Sequence, residues 1–136
     1  MIKQKVKELI LTQKRTIFRP FWGIKVKYNE RIQIDHSVVF YRNIHIYQTS
    51  GNGMLQIDKD VHICDGVKFV VGGNIVIGEK TQIGENCVLN GFADILIGEN
   101  NLFADRVNLI TNNHEYRDIS RPIMDQKNNT NPIYIG

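Results

Sequence analysis

Residues 75–98 read IVIGEKTQIGENCVLNGFADILIG, and the same four-residue pattern stands at both ends of this stretch. The pattern has an aliphatic residue at its first and third positions and Gly or Asp at its fourth. It recurs with third positions spaced 23, 20, 20 and 38 residues apart. The five copies occupy residues 32–35, 55–58, 75–78, 95–98 and 133–136. An internal repeat of this length predicts a solenoid in which each repeat forms one coil.

Within each repeat, a large apolar residue recurs every six positions. The four series are Ile34, Phe40 and Ile46; Ile57, Ile63 and Phe69; Ile77, Ile83 and Leu89; and Ile97, Phe103 and Leu109. One inward residue in six predicts coils with three flat faces, each a short strand, joined by tight corners that favour Gly, Asn and Asp. We therefore predict an all-β fold, a parallel β-helix of triangular section whose aliphatic residues stack into a continuous core.

The composition agrees with this prediction. The 136 residues include 20 Ile against 7 Leu, and 14 Asn against 2 Ala, whereas Leu and Ala are the stronger helix formers. No apolar run is long enough to cross a membrane, and the start lacks the apolar core of a secretory signal. The two cysteines are too few for a disulfide framework. Cys87 shares an inward column with Val67 and Val107, and this position indicates a buried apolar side chain rather than a nucleophile. These observations predict a cytoplasmic protein.

Charge divides the chain into a basic N-terminal segment at 1–30 and a β-helix at 31–136. Residues 1–31 contain nine Lys or Arg and two Glu, whereas residues 32–136 contain eight basic and twelve acidic residues. Apolar residues at helical spacing predict a short helix over 2–15. This segment either contacts an anionic membrane surface at the inner face of the membrane or covers one end of the β-helix, and we favour the second. Nucleic-acid binding is not expected, because no aromatic stacking motif accompanies the basic residues.

The repeat is interrupted once, between Ile97 and Ile135. The surplus residues are polar and predict a long loop at about 111–132, a common place for a site on a rigid solenoid. His114 stands at the base of this loop, where a histidine can act as a general base near neutral pH. Glu115 or Asp118 would orient its ring. The alternative interpretation is a solvated loop histidine.

The stretch at 97–136, IGENNLFADRVNLITNNHEYRDISRPIMDQKNNTNPIYIG, resembles hexapeptide-repeat O-acetyltransferases, in particular the galactoside, maltose and capsular-polysaccharide branches. The matching elements are Ile97 and Gly98, His114, and the returning Pro-Ile segment at 132–136. The resemblance extends over residues 32–136. It implies a left-handed parallel β-helix, a homotrimer, and transfer of an acetyl group from the co-substrate acetyl-CoA to a hydroxyl of a sugar or cell-surface polysaccharide precursor.

The resemblance also implies roles for individual residues. In such enzymes the histidine that matches His114 removes the hydroxyl proton, and the oxygen attacks the thioester carbonyl. An Asn of a neighbouring coil fixes the carbohydrate acceptor. The candidate substrate-binding residues are Asn86, Asn90, Asn112, Asn113, Glu115 and Tyr116. For all four asparagines the alternative is an ordinary role in corner turns, and this alternative weighs more for Asn86 and Asn90.

One departure from the family leaves other functions open. The enzymes of this family continue past the returning segment with several more coils, which supply much of the acetyl-CoA groove, so we expect a truncated or fragmentary form here. The alternative function is an inactive, structural or glycan-binding solenoid. A γ-class carbonic anhydrase needs three convergent histidines, and the four present share no column, so no metal site is expected. No phosphate-binding loop spacing occurs.

Overall fold

The computed structural model describes residues 30–136, so the helix predicted over 2–15 lies outside the described residues. The described chain consists of short strands joined by turns, with a short 3-10 helix at Ile123–Asp125. The strands are β1 (Ile32–Ile34), β2 (Val39–Phe40), β3 (His45–Gln48), β4 (Leu55–Ile57), β5 (His62–Ile63), β6 (Lys68–Val71), β7 (Ile75–Ile77), β8 (Gln82–Ile83), β9 (Val88–Gly91), β10 (Ile95–Ile97), β11 (Leu102–Phe103), β12 (Asn108–Ile110), β13 (Asn112–His114), β14 (Asn128–Thr130) and β15 (Ile133–Ile135).

The strands form three parallel sheets that wrap around one axis. Their orders are β1-β4-β7-β10-β15, β2-β5-β8-β11 and β3-β6-β9-β12, so each strand pairs with the equivalent strand of the next coil. Ile77 pairs with Ile57 on one side and with Ile97 on the other, as the repeat predicts. The all-β parallel β-helix is therefore confirmed, with about four coils in the described residues.

The core lies along the axis and contains the residues that the six-residue period selects. Ile63, Ile77 and Ile83 are completely inaccessible to solvent. Burying a side chain of this size contributes roughly 1.5–3 kcal/mol, so the inward columns supply the main stabilisation of the fold. In the last coil, the inward residues remain only partly buried; these are Phe103, Val107, Leu109 and Ile135.

Cys87 is part of this core, as its column position predicts. It is 1% exposed, and its thiol donates a hydrogen bond to the Ala104 carbonyl at 3.1 Å. Burial raises the pKa of the Cys87 thiol, which disfavours the thiolate that a nucleophile requires. Both Cys87 and Cys64 are free thiols.

The corners of the coils are joined by side chains that bind the backbone of the neighbouring coil. The Oδ1 of Asn74 accepts a hydrogen bond from the Met54 N–H at 3.1 Å. The Asn74 N–H in turn donates to Oδ1 of Asp94 at 2.8 Å. Among residues 30–136, six residues other than glycine adopt left-handed backbone angles, namely Asn43, Asp60, Lys80, Asn86, Asn100 and Arg106. Asn and Asp tolerate this conformation better than most residues, which explains their abundance in the sequence.

The segment between β12 and β15 forms an ordered arm rather than a plain loop. β13 and β14 pair in antiparallel fashion, with Asn112 opposite Thr130 and His114 opposite Asn128. We call residues 112–130 the hairpin arm. β15 then resumes the coil beside β10. In the part of the chain that the structure describes, no helix has the length and apolarity needed to cross a membrane.

Candidate active site

The hairpin arm leaves the solenoid at Thr111, a buried residue with 4% of its surface exposed. The Thr111 hydroxyl accepts a hydrogen bond from the Ala93 N–H at 2.9 Å and donates one to the Asn90 carbonyl at 3.0 Å. Its backbone N–H also donates to the Asn90 carbonyl at 3.1 Å, and its carbonyl accepts from the Asn131 N–H at 2.8 Å. Thr111 therefore joins the two ends of the arm to the preceding coil.

Sequence reasoning missed Thr111, although the repeat contains a signal for it. Val71 and Gly91 are the last residues of β6 and β9, and they pair with each other. Ile110 pairs with Asn90, so the next residue, Thr111, occupies the same column as Gly91. A hydroxyl thus stands in a column where the two coils directly before it have Val71 and Gly91, which carry no side-chain donor, while the first coil has Gln48. A polar residue at an inward position indicates a specific hydrogen-bonding partner.

His114 is the last residue of β13, three positions beyond Thr111, and its side chain is exposed. Its imidazole makes no hydrogen bond to any of residues 30–136, so both ring nitrogens are free to meet a substrate. Histidine is the side chain best suited to exchanging protons near neutral pH. The position is chemically competent for a general base.

The two carboxylates predicted to orient the histidine bind the backbone of the arm instead. Oε1 of Glu115 accepts hydrogen bonds from the N–H groups of Tyr116 and Arg117, at 3.0 and 3.1 Å. These bonds, with that of Tyr116 the stronger influence, hold the pKa of Glu115 below its ordinary value of 4.5. Asp118 accepts bonds from the hydroxyl and N–H of Ser120, which lower its pKa in the same way. Neither carboxylate bonds to the His114 ring within the described residues.

The remaining predicted residues divide into two groups. Asn112 and Asn113 lie on β13 and Tyr116 stands two positions after its end, so all three are within two residues of His114 along the chain. Tyr116 is 62% exposed. The Asn112 amide nitrogen lies 3.5 Å from Oδ1 of Asn128 across the hairpin.

The two asparagines of the preceding coil occupy different places. Asn90 adjoins the base of the arm, because its carbonyl receives both bonds from Thr111. The side-chain oxygens of Asn90 and Asn112 are both buried without a hydrogen-bond partner in the described residues. Asn86 stands at a corner with φ 56°, and no hydrogen bond joins it to the arm in the described part of the chain. The corner role fits Asn86, whereas Asn90 is part of the arm's base.

Gln126 organises the tip of the arm, although no sequence motif or repeat position selects it. The side chain is buried, with Nε2 donating to the carbonyls of Asp118 and Arg121 at 2.7 and 3.0 Å. Its Oε1 accepts from the Asp118 N–H at 3.3 Å. Around this amide, the side chains of Ile119 and Met124 are 100% and 87% exposed.

Among residues 30–136, no group of three or more His, Cys, Asp or Glu side chains is placed to hold a metal ion. The arm offers the His114 imidazole, the amides of Asn112 and Asn113, and the hydroxyl of Tyr116. Such a set can remove a proton from a hydroxyl and hydrogen-bond a polar acceptor.

Comparison with known proteins gives one informative similarity. The chain is 32% identical over 105 residues to a probable acetyltransferase of Mycobacterium tuberculosis. The match includes 76% of this chain and 35% of the relative, so the chain spans about a third of the relative's length. No protein-family model matches the chain, and no solved structure matches it significantly. The similarity and the parallel β-helix together fit a hexapeptide-repeat acetyltransferase.

Proposed function

We propose that the protein is an O-acetyltransferase that transfers an acetyl group from acetyl-CoA to a hydroxyl of a sugar or a cell-surface polysaccharide precursor. The observation that carries the proposal is the 105-residue similarity to a probable acetyltransferase. The His114 imidazole makes no hydrogen bond within residues 30–136 and lies on an arm anchored to the coil, which supports the proposal further.

His114 is the general base of the proposed reaction. It takes the proton of the acceptor hydroxyl while the hydroxyl oxygen attacks the thioester carbonyl carbon and forms the new C–O bond. Collapse of the tetrahedral intermediate breaks the C–S bond, and the departing sulfur takes the proton back from the imidazolium as CoA is released. A sugar hydroxyl is too weak an acid to react rapidly without such a base, which typically contributes about a hundredfold to ten-thousandfold.

The acceptor would be held by the polar side chains beside the base. Asn112 and Asn113 offer amide donors and acceptors that match sugar hydroxyls, and the exposed Tyr116 offers a ring face and a hydroxyl. In this proposal Asn90 shapes the base of the site, and Glu115 keeps the backbone after His114 in place.

The proposal extends to assembly and location. A homotrimer would bring the arm of one subunit against its neighbour and complete the acetyl-CoA site. The enzyme would work in the cytoplasm on precursors at the inner face of the membrane.

The test is CoA release from acetyl-CoA, measured with a panel of free sugars and glycolipid acceptors and checked by mass spectrometry of the acetylated product. We expect acceptor-dependent release by the wild-type protein. His114→Ala should lower kcat by about a hundredfold or more while the KM for acetyl-CoA changes little.

His36→Ala is the matched control, since it removes another exposed histidine, on the first coil, with a side chain 67% exposed. Its kcat should equal that of the wild type. If the two variants have the same kcat, His114 is not the base. If no acceptor class supports CoA release, the proposed activity is wrong.

A further inference from the structure

We infer that Thr111 is a positioning residue for His114, because its buried hydroxyl fixes the point and angle at which the hairpin arm leaves the coil. The inference rests on the proposed function, since it gives Thr111 a task in the same site.

The first argument is that the arm has few attachments to the solenoid. In the described chain, the hydrogen bonds of residues 112–130 are made within the arm itself. The connection to the coil is made just outside it, where Thr111 bonds to Asn90 and Ala93 and receives the bond from Asn131. The orientation of the whole arm is therefore determined at this junction.

The second argument is that the hydroxyl makes bonds that the backbone does not make. Without it, the Ala93 N–H loses its acceptor, because that group bonds to Oγ1 of Thr111. Ala93 is half-buried, and a backbone N–H that is partly shielded from water and lacks a partner is disfavoured, so the junction would shift to regain an acceptor.

The third argument concerns distance. His114 lies three residues beyond Thr111 along extended chain, which is about 10 Å, so a tilt of about 6° at the junction moves the imidazole by about 1 Å. A misplacement of about 1 Å in a catalytic group can lower the rate about a hundredfold. A small loss of constraint at Thr111 thus has a large effect at His114.

The chain contains a matched control in Thr81. This residue is 1% exposed, and its hydroxyl donates to the Gly98 carbonyl and accepts from the Asn101 N–H, both at 3.1 Å. It makes the same kind of bond between coils, but it does not adjoin the arm. Thr81→Val therefore reproduces the chemical loss of Thr111→Val without the expected effect on His114.

The experiment compares Thr111→Val, Thr111→Ser and Thr81→Val in the protein with three readouts. They are the NMR chemical shifts of the His114 ring, the hydrogen exchange of the β13 and β14 amides, and kcat and KM with acetyl-CoA. In Thr111→Val we expect shifted His114 resonances, hairpin amides that exchange about tenfold faster, and a kcat about tenfold lower at unchanged KM. Thr111→Ser should restore all three, and Thr81→Val should lower the melting temperature without changing any of them.

The readouts separate failure of this inference from failure of the proposed function. Unchanged His114 resonances and hairpin exchange in Thr111→Val overturn the inference whatever the turnover. A wild-type kcat in Thr111→Val overturns it as well, if His114→Ala is impaired. If His114→Ala turns over like the wild type, the proposed function fails, and the NMR and exchange data alone decide whether Thr111 positions the histidine.

Discussion

Glu115 follows the candidate base directly, yet its carboxylate serves the backbone of the arm. Its oxygens accept hydrogen bonds from the N–H groups of Tyr116 and Arg117. They also accept one from the side-chain amide of Asn129, at 3.4 Å. An acidic residue next to a histidine thus supports the geometry of the turn rather than the charge of the ring. The bonds favour the ionised carboxylate, which is why the pKa of Glu115 is lowered.

The lowered pKa of Glu115 predicts a specific acid sensitivity. The carboxylate stabilises the folded state fully above its ordinary pKa of 4.5, and this contribution is lost as the pH falls through the lower folded-state value. Glu115→Gln should therefore have a lower melting temperature than the wild type near neutral pH, and the difference should narrow below about pH 4.5. Thermal unfolding followed by circular dichroism between pH 3 and 7 measures this.

Glu99→Gln is the control for this prediction, since the Glu99 carboxylate makes no hydrogen bond within residues 30–136. Near neutral pH its melting temperature should equal that of the wild type, because the change removes no hydrogen bond to the carboxylate. A pH-independent difference for Glu115→Gln would show that the hydrogen bonds to its carboxylate do not stabilise the arm.

At the scale of the element, the hairpin arm is built from residues with little preference for strands. β13 consists of Asn112, Asn113 and His114, and β14 of two asparagines and a threonine. Asparagine is depleted in strands, so local propensity does not hold this hairpin together. Its order comes from the junction at Thr111 and from the buried amide of Gln126.

Gln126→Ala should loosen the tip of the arm while the coils remain intact. The change removes the donors to the Asp118 and Arg121 carbonyls and the acceptor of the Asp118 N–H. We expect trypsin to cut after Arg117 and Lys127 about tenfold faster, because cleavage follows the population of locally open states. Limited proteolysis followed by mass spectrometry locates the cuts.

Gln82→Ala provides the comparison, since Gln82 is an exposed glutamine on β8 of the solenoid. This variant should be cut in the arm at the wild-type rate. Equal rates for the two variants would mean that Gln126 does not hold the tip.

The two kinds of element differ in how far the sequence predicts them. The coils are predictable because the aliphatic residues of each four-residue pattern have equivalents in the next coil. The repeat itself therefore predicts the pairing of Ile57 with Ile77. The arm has no repeat and no apolar alternation, so its antiparallel pairing and the roles of Thr111 and Gln126 depend on tertiary contacts. The interruption of the repeat points to His114 as a candidate site residue, because this histidine stands where the repeat stops. Its role as a general base stays a prediction.

At the scale of the whole molecule, the core consists of columns of inward side chains that continue from coil to coil. Ile77 contacts no solvent and lies in register with Ile57 and Ile97. A cavity at this position would be enclosed by rigid backbone above and below. The neighbouring coils have little freedom to collapse into it.

Ile77→Ala should accordingly lower the free energy of unfolding by about 2–5 kcal/mol, the usual range for truncating a fully buried isoleucine. Val76 precedes it on the same strand and is only half-buried, so Val76→Ala should cost less than about 1 kcal/mol. Urea unfolding followed by circular dichroism measures both. A smaller loss for Ile77 than for Val76 would contradict the stacking of the core.

The register of β15 shows how the coil accommodates the hairpin arm. Ile95 pairs with Ile133 just as Ile75 pairs with Ile95, although the hairpin arm intervenes in the first case alone. The corner after β12 thus opens for an insertion and closes again in the same register. The coil pairing on either side does not depend on the residues of the insertion, so the arm and the coils can vary separately.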